Sequence, residues 1–158
     1  MPMQVIEDLD ALSAWIGKEV ACSDWMAVDQ RRIQQFADAT GDQQWIHTDP
    51  ARALRESPYK STIAHGYLTL SLLPHLLESC LRIDGVGMAI NYGLDKVRLP
   101  APLLAGQRVR ARLVLDRLEP VAGGMQAHWS TTVELEHGDK PACIAQMLAR
   151  YYPIPPTH

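Results

Sequence analysis

The sequence has no pair of cysteines close enough to suggest a redox or metal-binding motif. Its three, Cys22, Cys80 and Cys143, lie far apart and none opens a Cys-x-x-Cys, which argues against a disulfide framework and against a zinc ribbon. Each reads as a small buried hydrophobe. Excess charge of one sign is also missing. A formal net charge of −3 offers no basic surface for nucleic acid or an anionic membrane. The start, Met1-Pro2-Met3-Gln4-Val5-Ile6-Glu7-Asp8, lacks the basic residues and long apolar core of a signal peptide, and a reduced cytoplasmic setting is the expectation. No internal repeat, low-complexity block or linker divides the 158 residues. One domain is expected over residues 1–152, large enough to bury about two thirds of its unfolded surface. The proline-rich tail, residues 153–158, carries no core pattern and should be extended and mobile.

The most apolar stretch runs from Ile63 to Leu81. It is too often interrupted by polar residues to span a bilayer, which takes about 20 apolar residues. From Tyr67 onward the spacing predicts one helix. Leu68, Leu72 and Leu76 form one ridge and Leu70, Leu73 and Leu77 another, so other structure must wrap it. Its opening, His65-Gly66, leaves backbone N–H groups without intrahelical partners, a place to bind an oxyanion.

Upstream, the pattern predicts a helix over Ile6–Gly17, an extended run over Glu19–Val28 and a helix from Asp29 to Thr40 closed by Gly41. Ile33, Phe36 and Ala37 make the inner stripe of that second helix. A loop follows over Asp42–His47, then a short helix over Pro50–Arg55 capped by Asp49. Downstream the period changes from 3.6 to 2. Val86, Met88, Ile90, Tyr92 and Leu94 alternate with small or polar residues, and the run can continue to Leu99. Val109 to Leu115, Met125 to Leu135 and Ala142 to Tyr152 supply three more strands, with Gly123-Gly124 and Gly138-Asp139 as turns. A meander of long antiparallel strands and one apolar helix pack best with the sheet curled around the helix, an α+β architecture. An edge strand and one helix flank stay uncovered, so a homodimer is expected to complete the structure.

Asp42 and His47 stand five apart in one loop. A carboxylate and an imidazole so placed can hold one water between them, the imidazole taking its proton and the carboxylate orienting it. Taken alone, the pair also fits a turn aspartate and an uninvolved loop histidine. The wider context decides. Gly41-Asp42-x-Gln44-Trp45-x-His47-x-Asp49-Pro50, followed by Ala64-His65-Gly66 opening an apolar helix, resembles the MaoC-like dehydratases, the (R)-specific enoyl-CoA hydratases. Their signature reads Gly-Asp-x-Asn-Pro-x-His-x-Asp, then Ala-His-Gly. Here Gln44 and Trp45 replace the Asn-Pro pair. That variant, with Asn91-Tyr92-Gly93-Leu94-Asp95-Lys96-Val97-Arg98, looks like the NodN-like subgroup. The resemblance covers roughly residues 29–112.

What the resemblance implies is a hot-dog fold and hydration of a trans-2-enoyl thioester to the (R)-3-hydroxyacyl thioester, or the reverse. Asp42 and His47 match the family's dyad and Gly66 the residue whose N–H binds the thioester carbonyl. Gln44, Trp45, His65, Ser71 and Asn91 are assigned to substrate binding. Neither a metal nor a cofactor is required, since the substrate arrives as a thioester of coenzyme A or an acyl carrier. His65 either orients the oxyanion loop or is a packed histidine bonded to backbone. Thr69 and Ser71 either approach the dyad or bond the carbonyl freed by Pro74. Arg52, Arg55, Lys60, Lys96 and Arg98 either meet phosphates or form a solvated charged face. His75 and His128 are read as bystanders. A thioesterase on the same fold and a non-catalytic acyl-thioester binding module are the alternatives.

Overall fold

A computed structural model describes residues 2–157 of the chain. The first element is a strand, β1 (Gln4–Ile6), which lies parallel to β4 (Leu81–Ile83). The helix expected over Ile6–Gly17 shrinks to one 3₁₀ turn, Ala11–Trp15. Asp8 Oδ1 accepts from the Ala11 N–H at 2.7 Å and the Asp10 carbonyl from the Ser13 hydroxyl at 2.7 Å. Such local bonds offer the backbone an alternative to the α-helical ladder. Leu12 still reaches the core and Gly17 still ends the segment, at φ 82°.

The extended run resolves into β2 (Glu19–Cys22) and β3 (Met26–Ala27), and α1 (Gln30–Thr40) follows. Asp29 caps α1 by accepting from the Arg32 N–H at 2.8 Å, and Gly41 closes it in the left-handed region. The expected loop at Asp42–His47 contains a short helix, α2 (Trp45–Thr48). The predicted helix at Pro50 is present as α3 (Pro50–Glu56), capped by Asp49 at 2.9 Å.

The central helical segment is broken. It forms α4 (Gly66–Ser71) and α5 (Leu73–Glu78), joined at Leu72. Pro74 has no N–H to give the Leu70 carbonyl, so the ladder cannot run through. The Ser71 hydroxyl donates to the Tyr67 carbonyl at 2.6 Å, not to the carbonyl Pro74 frees. Leu68, Leu72, Leu73 and Leu76 are buried while Tyr67, Ser71, His75 and Glu78 are exposed. The segment therefore has an open side rather than complete wrapping.

The sheet runs β2–β6–β7–β8–β5, with β3 also paired to β6. β6 (Arg108–Val121), β7 (Gly124–Leu135) and β8 (Cys143–Pro153) form the predicted meander. β5 (Val86–Arg98) departs from it by pairing with β8 instead of its sequence neighbour β6. The proline-containing segment after Arg98 carries the chain across to β6. Inward residues Val109, Ala111, Leu113, Leu115, Trp129, Val133, Cys143 and Met147 pack against Leu68, Leu72, Leu73 and Leu76. The curled antiparallel sheet thus cups the helical segment in an α+β fold. The last strand runs to Pro153, and the Ile154 N–H donates to the Gly85 carbonyl at 2.9 Å.

The apolar row on β5 does not face the core as its alternation suggested. Ala89 and Asn91 stand opposite the buried Tyr151 and Ala149, so they take the inner face. Met88 and Ile90, opposite Tyr152 and Arg150, turn outward. Register shifts between Asn91 and Gly93, and between Leu94 and Lys96, then bring Leu94 opposite Met147. A bulge moves every later side chain to the other face. No helix among the described residues is long and apolar enough to cross a membrane.

Candidate active site

The Asp42 loop and the residue that opens α4 come together, with His65 Nε2 against the Asp42 carbonyl. A side-chain ligand atom from each of Asp42, His47 and His65 lies within 4.8 Å of those from the other two. His47 and His65 are buried, and Asp42 is exposed.

His47 is fixed on three sides. Its Nδ1 lies 2.6 Å from the Ile63 carbonyl. Carbonyl oxygen only accepts, so this nitrogen carries the proton and the neutral ring keeps its free lone pair on Nε2. The His47 carbonyl accepts from Gln30 Nε2 at 2.7 Å, and Gln30 Oε1 in turn accepts from the Thr62 hydroxyl. One α1 side chain thereby staples α2 to the strand-like segment before α4. Burial holds the His47 pKa below its ordinary value, and the neighbouring His65 acts in the same direction. The Ile63 carbonyl and the Asp42 charge oppose them.

His65 caps α4 through its own carbonyl, which accepts from the Leu68 and Thr69 N–H groups at 3.0 and 3.2 Å. Its ring stacks on His47, centroids 3.8 Å apart and planes 24° apart, and meets Phe36 at 4.9 Å. Nε2 lies 2.9 Å from the backbone carbonyl of Asp42. Nδ1 is buried with no partner among the described residues. Gly66 follows as the first residue of α4, so its N–H precedes the intrahelical ladder. A Cβ there would stand 2.3 Å from Leu99 Cδ1.

The Asp42, His47 and His65 set has the residue types of a metal site, but its geometry suits proton transfer better. Imidazole lone pairs lie in the ring plane, and two nearly parallel stacked rings direct them side by side rather than at one ion. Burial pushes the Cys80 and Cys143 thiols up to about 11, which disfavours their thiolates.

Other expected residues sit further out. Trp45 opens α2 with the Arg52 guanidinium 4.4 Å from its ring centroid, and Arg52 also pairs with Glu56 at 2.8 Å. Gln44 is the exposed residue before Trp45. Ser71 and Asn91 line a groove of about 320 Å³ with Leu70, Pro74, Leu94 and Met147, and that lining does not include Asp42, His47 or Gly66. A second groove, about 360 Å³, continues past Pro74 and Asn91 between α5 and β5. Sequence reasoning missed Gln30, Phe36 as a partner of His65, and Leu99. Phe36 was legible only as core, and nothing local marks Gln30 or Leu99 as neighbours of the dyad.

Comparison with known proteins identifies the family and the fold. The family model for the MaoC like domain matches residues 12–137. Over 150 residues the chain is 49% identical to 3-hydroxyacyl-thioester dehydratase Z of Mycobacterium tuberculosis, covering 94% of this chain and 99% of that protein. It is 45% identical over 135 residues to nodulation protein N of Rhizobium leguminosarum bv. viciae, covering 84% of each. Among solved structures, the unliganded R-hydratase of Pseudomonas aeruginosa superposes with a TM-score of 0.70 at 21% identity, covering 90% of this chain and 91% of that one, a likeness of fold. The chain belongs to the MaoC-like dehydratase family and has its hot-dog fold.

Proposed function

We propose that the protein hydrates trans-2-enoyl thioesters to (R)-3-hydroxyacyl thioesters, or runs the reverse dehydration, at the Asp42–His47–Gly66 site. The carrying observation is that Asp42, His47 and His65 converge at the start of α4, where Gly66 follows His65 as the first helical residue. The 49% identity to a named 3-hydroxyacyl-thioester dehydratase supports the same reading.

The chemistry follows from the groups. A water held by the Asp42 carboxylate gives its proton to His47 Nε2 as its oxygen bonds to C3. The π electrons move through C2 to the thioester oxygen, forming an enolate. The Gly66 N–H stabilises that oxygen, and losing one such donor costs about 3 kcal/mol in comparable sites. The proton then passes to C2, which restores the carbonyl and balances the addition. Dehydration retraces these steps. The carbonyl is polarised by N–H and the water activated by side chains, so we assign no metal or cofactor role. The substrate is carried on coenzyme A or an acyl carrier.

The working unit we infer is a homodimer. Among the described residues β5 bonds to β8 along one edge only, and its Met88, Ile90 and Tyr92 are exposed. Pairing two copies of β5 would satisfy the other edge and cover apolar surface. Three free buried cysteines suit a reducing cytoplasm.

The test is turnover of a series of enoyl-CoA chain lengths, followed as loss of the conjugated enoyl absorbance. Loss with formation of the (R)-3-hydroxy product supports the proposal. Release of free thiol would instead indicate a thioesterase. Saturable binding without turnover would indicate a binding module, an outcome given a specific motive by Gln44-Trp45 in place of Asn-Pro.

A further inference from the structure

The two stacked histidines have opposite demands on their protons. His47 presents Nδ1 to the Ile63 carbonyl, whereas His65 presents Nε2 to the Asp42 carbonyl. Each of those nitrogens must therefore carry hydrogen, because neither carbonyl can donate. In the neutral rings this leaves the lone pair of His47 on Nε2 and that of His65 on Nδ1. The first is the base the reaction uses. The second is buried, with no partner among the described residues.

A buried acceptor without a donor works against folding, so its presence calls for an explanation. The surroundings of His65 supply one. At 3% exposure it offers almost no surface to a substrate. Its backbone caps α4, its ring lies on His47, and its Nε2–H holds the main chain of Asp42. The residue that immediately follows it is Gly66. One residue thus joins the helix start, the base and the main chain of the aspartate that orients water.

We infer that His65 is a positioning residue of the dyad, locked with its hydrogen on Nε2, rather than a group that contacts substrate. The inference rests on Asp42, His47 and Gly66 forming the reaction centre. It attributes two separable jobs to His65. The Nε2–H fixes Asp42 relative to the helix start, and the ring face fixes the plane of His47. Displacements of about 1 Å in such groups can cost about 10²-fold in rate.

The experiment combines spectroscopy of the wild type with two substitutions. Histidine ¹⁵N chemical shifts at neutral pH should show His65 protonated on Nε2 and His47 on Nδ1. That readout needs neither activity nor a variant. His65→Phe keeps a flat ring but removes the donor. It should lower kcat about 10²-fold while KM stays within twofold and Tm within a few degrees. His65→Gln can place an amide N–H near the same carbonyl, and should recover at least tenfold of the loss. An Nδ1-protonated His65, or a folded His65→Phe enzyme with wild-type kcat, would overturn the inference. So would equal losses in both variants, since the donor would then not matter. If His65→Phe does not fold, the tautomer pattern and the Gln variant decide. Wild type that turns over no enoyl thioester would instead defeat the hydratase proposal and leave the tautomer result standing.

Discussion

Leu99 occupies the space that a side chain on Gly66 would need. An added Cβ at Gly66 would lie 2.3 Å from Leu99 Cδ1. The segment holding Leu99 is anchored to the loop before α4, with Ala64 N–H donating to Leu103 O at 2.7 Å and Ala105 N–H to Thr62 O at 3.0 Å. Leu99 itself remains 41% exposed, so its methyl end can move more readily than the backbone beneath it. Gly66→Ala should destabilise the fold by about 1 kcal/mol, the lower end of overpacking costs. Leu99→Ala in the same chain should restore most of that loss. Urea unfolding of the two single variants and the double variant measures the coupling; purely additive effects would contradict the contact.

The same neighbours bear on substrate shape. A carbonyl bound at the Gly66 N–H, as we propose, would come near the Leu99 methyl, which fills the space beside the Gly66 Cα. On the sulfur side every such thioester is alike, so the group Leu99 can select against is a substituent at C2. Leu99→Ala should raise kcat/KM for a 2-methyl-branched enoyl-CoA relative to the unbranched one by about tenfold, on the scale of one methyl-sized pocket change. An unchanged ratio would remove Leu99 from the substrate path.

The depressed pKa of His47 has two consequences with the same sign. Burial keeps the ring neutral below its ordinary range, so the base stays available as the solution is acidified. The acidic limb of kcat/KM against pH should fall below the ordinary histidine value of about 6.5. Stability follows from the same shift. As pH falls through the ordinary range the unfolded chain binds a proton before the folded one, and stability declines until the folded-state pKa is passed. His47→Gln should flatten that part of the stability profile, as read by chemical denaturation at several pH values. An acidic limb above 6.5 would mean that His47 is not the group titrating.

β5 offers a direct test of assembly. Ile90 and Tyr92 are exposed on the strand whose outer edge is unpaired. Ile90→Lys with Tyr92→Lys would set like charges near one another across a two-fold pairing of this edge. Sedimentation velocity should show a wild-type dimer and a monomeric double variant. A wild-type monomer at micromolar concentration would contradict the proposed assembly.

Much of this arrangement was legible locally. Asp29 and Asp49 announce α1 and α3 because an N-cap is a contact between residues three apart. Gly41 marks the end of α1 through its own backbone angle. The inward residues of β6 and β7 follow from simple alternation. The misreadings have a common cause, which is competition from elsewhere in the chain. At Ile6 a short strand pairing and aspartate bonds displace a helix that periodicity favours. On β5, register shifts against β8 reverse which side chains face in, and no single-strand pattern can reveal a bulge imposed by a partner. At Pro74 the cue is local, because the missing N–H that frees the Leu70 carbonyl also ends the ladder. For the site, Asp42, His47 and Gly66 were marked by spacing and resemblance. Gln30 and Leu99 act across long separations, and only folding brings them to the motifs.

The most direct test of the central claim is kcat/KM for hydration of crotonyl-CoA by the wild type beside Asp42→Asn and His47→Gln, each checked for a native fold. A positioned acid–base pair contributes about 10²–10⁴-fold. The dyad account predicts measurable wild-type hydration and a loss of that size in each variant. Full activity in either variant would contradict it.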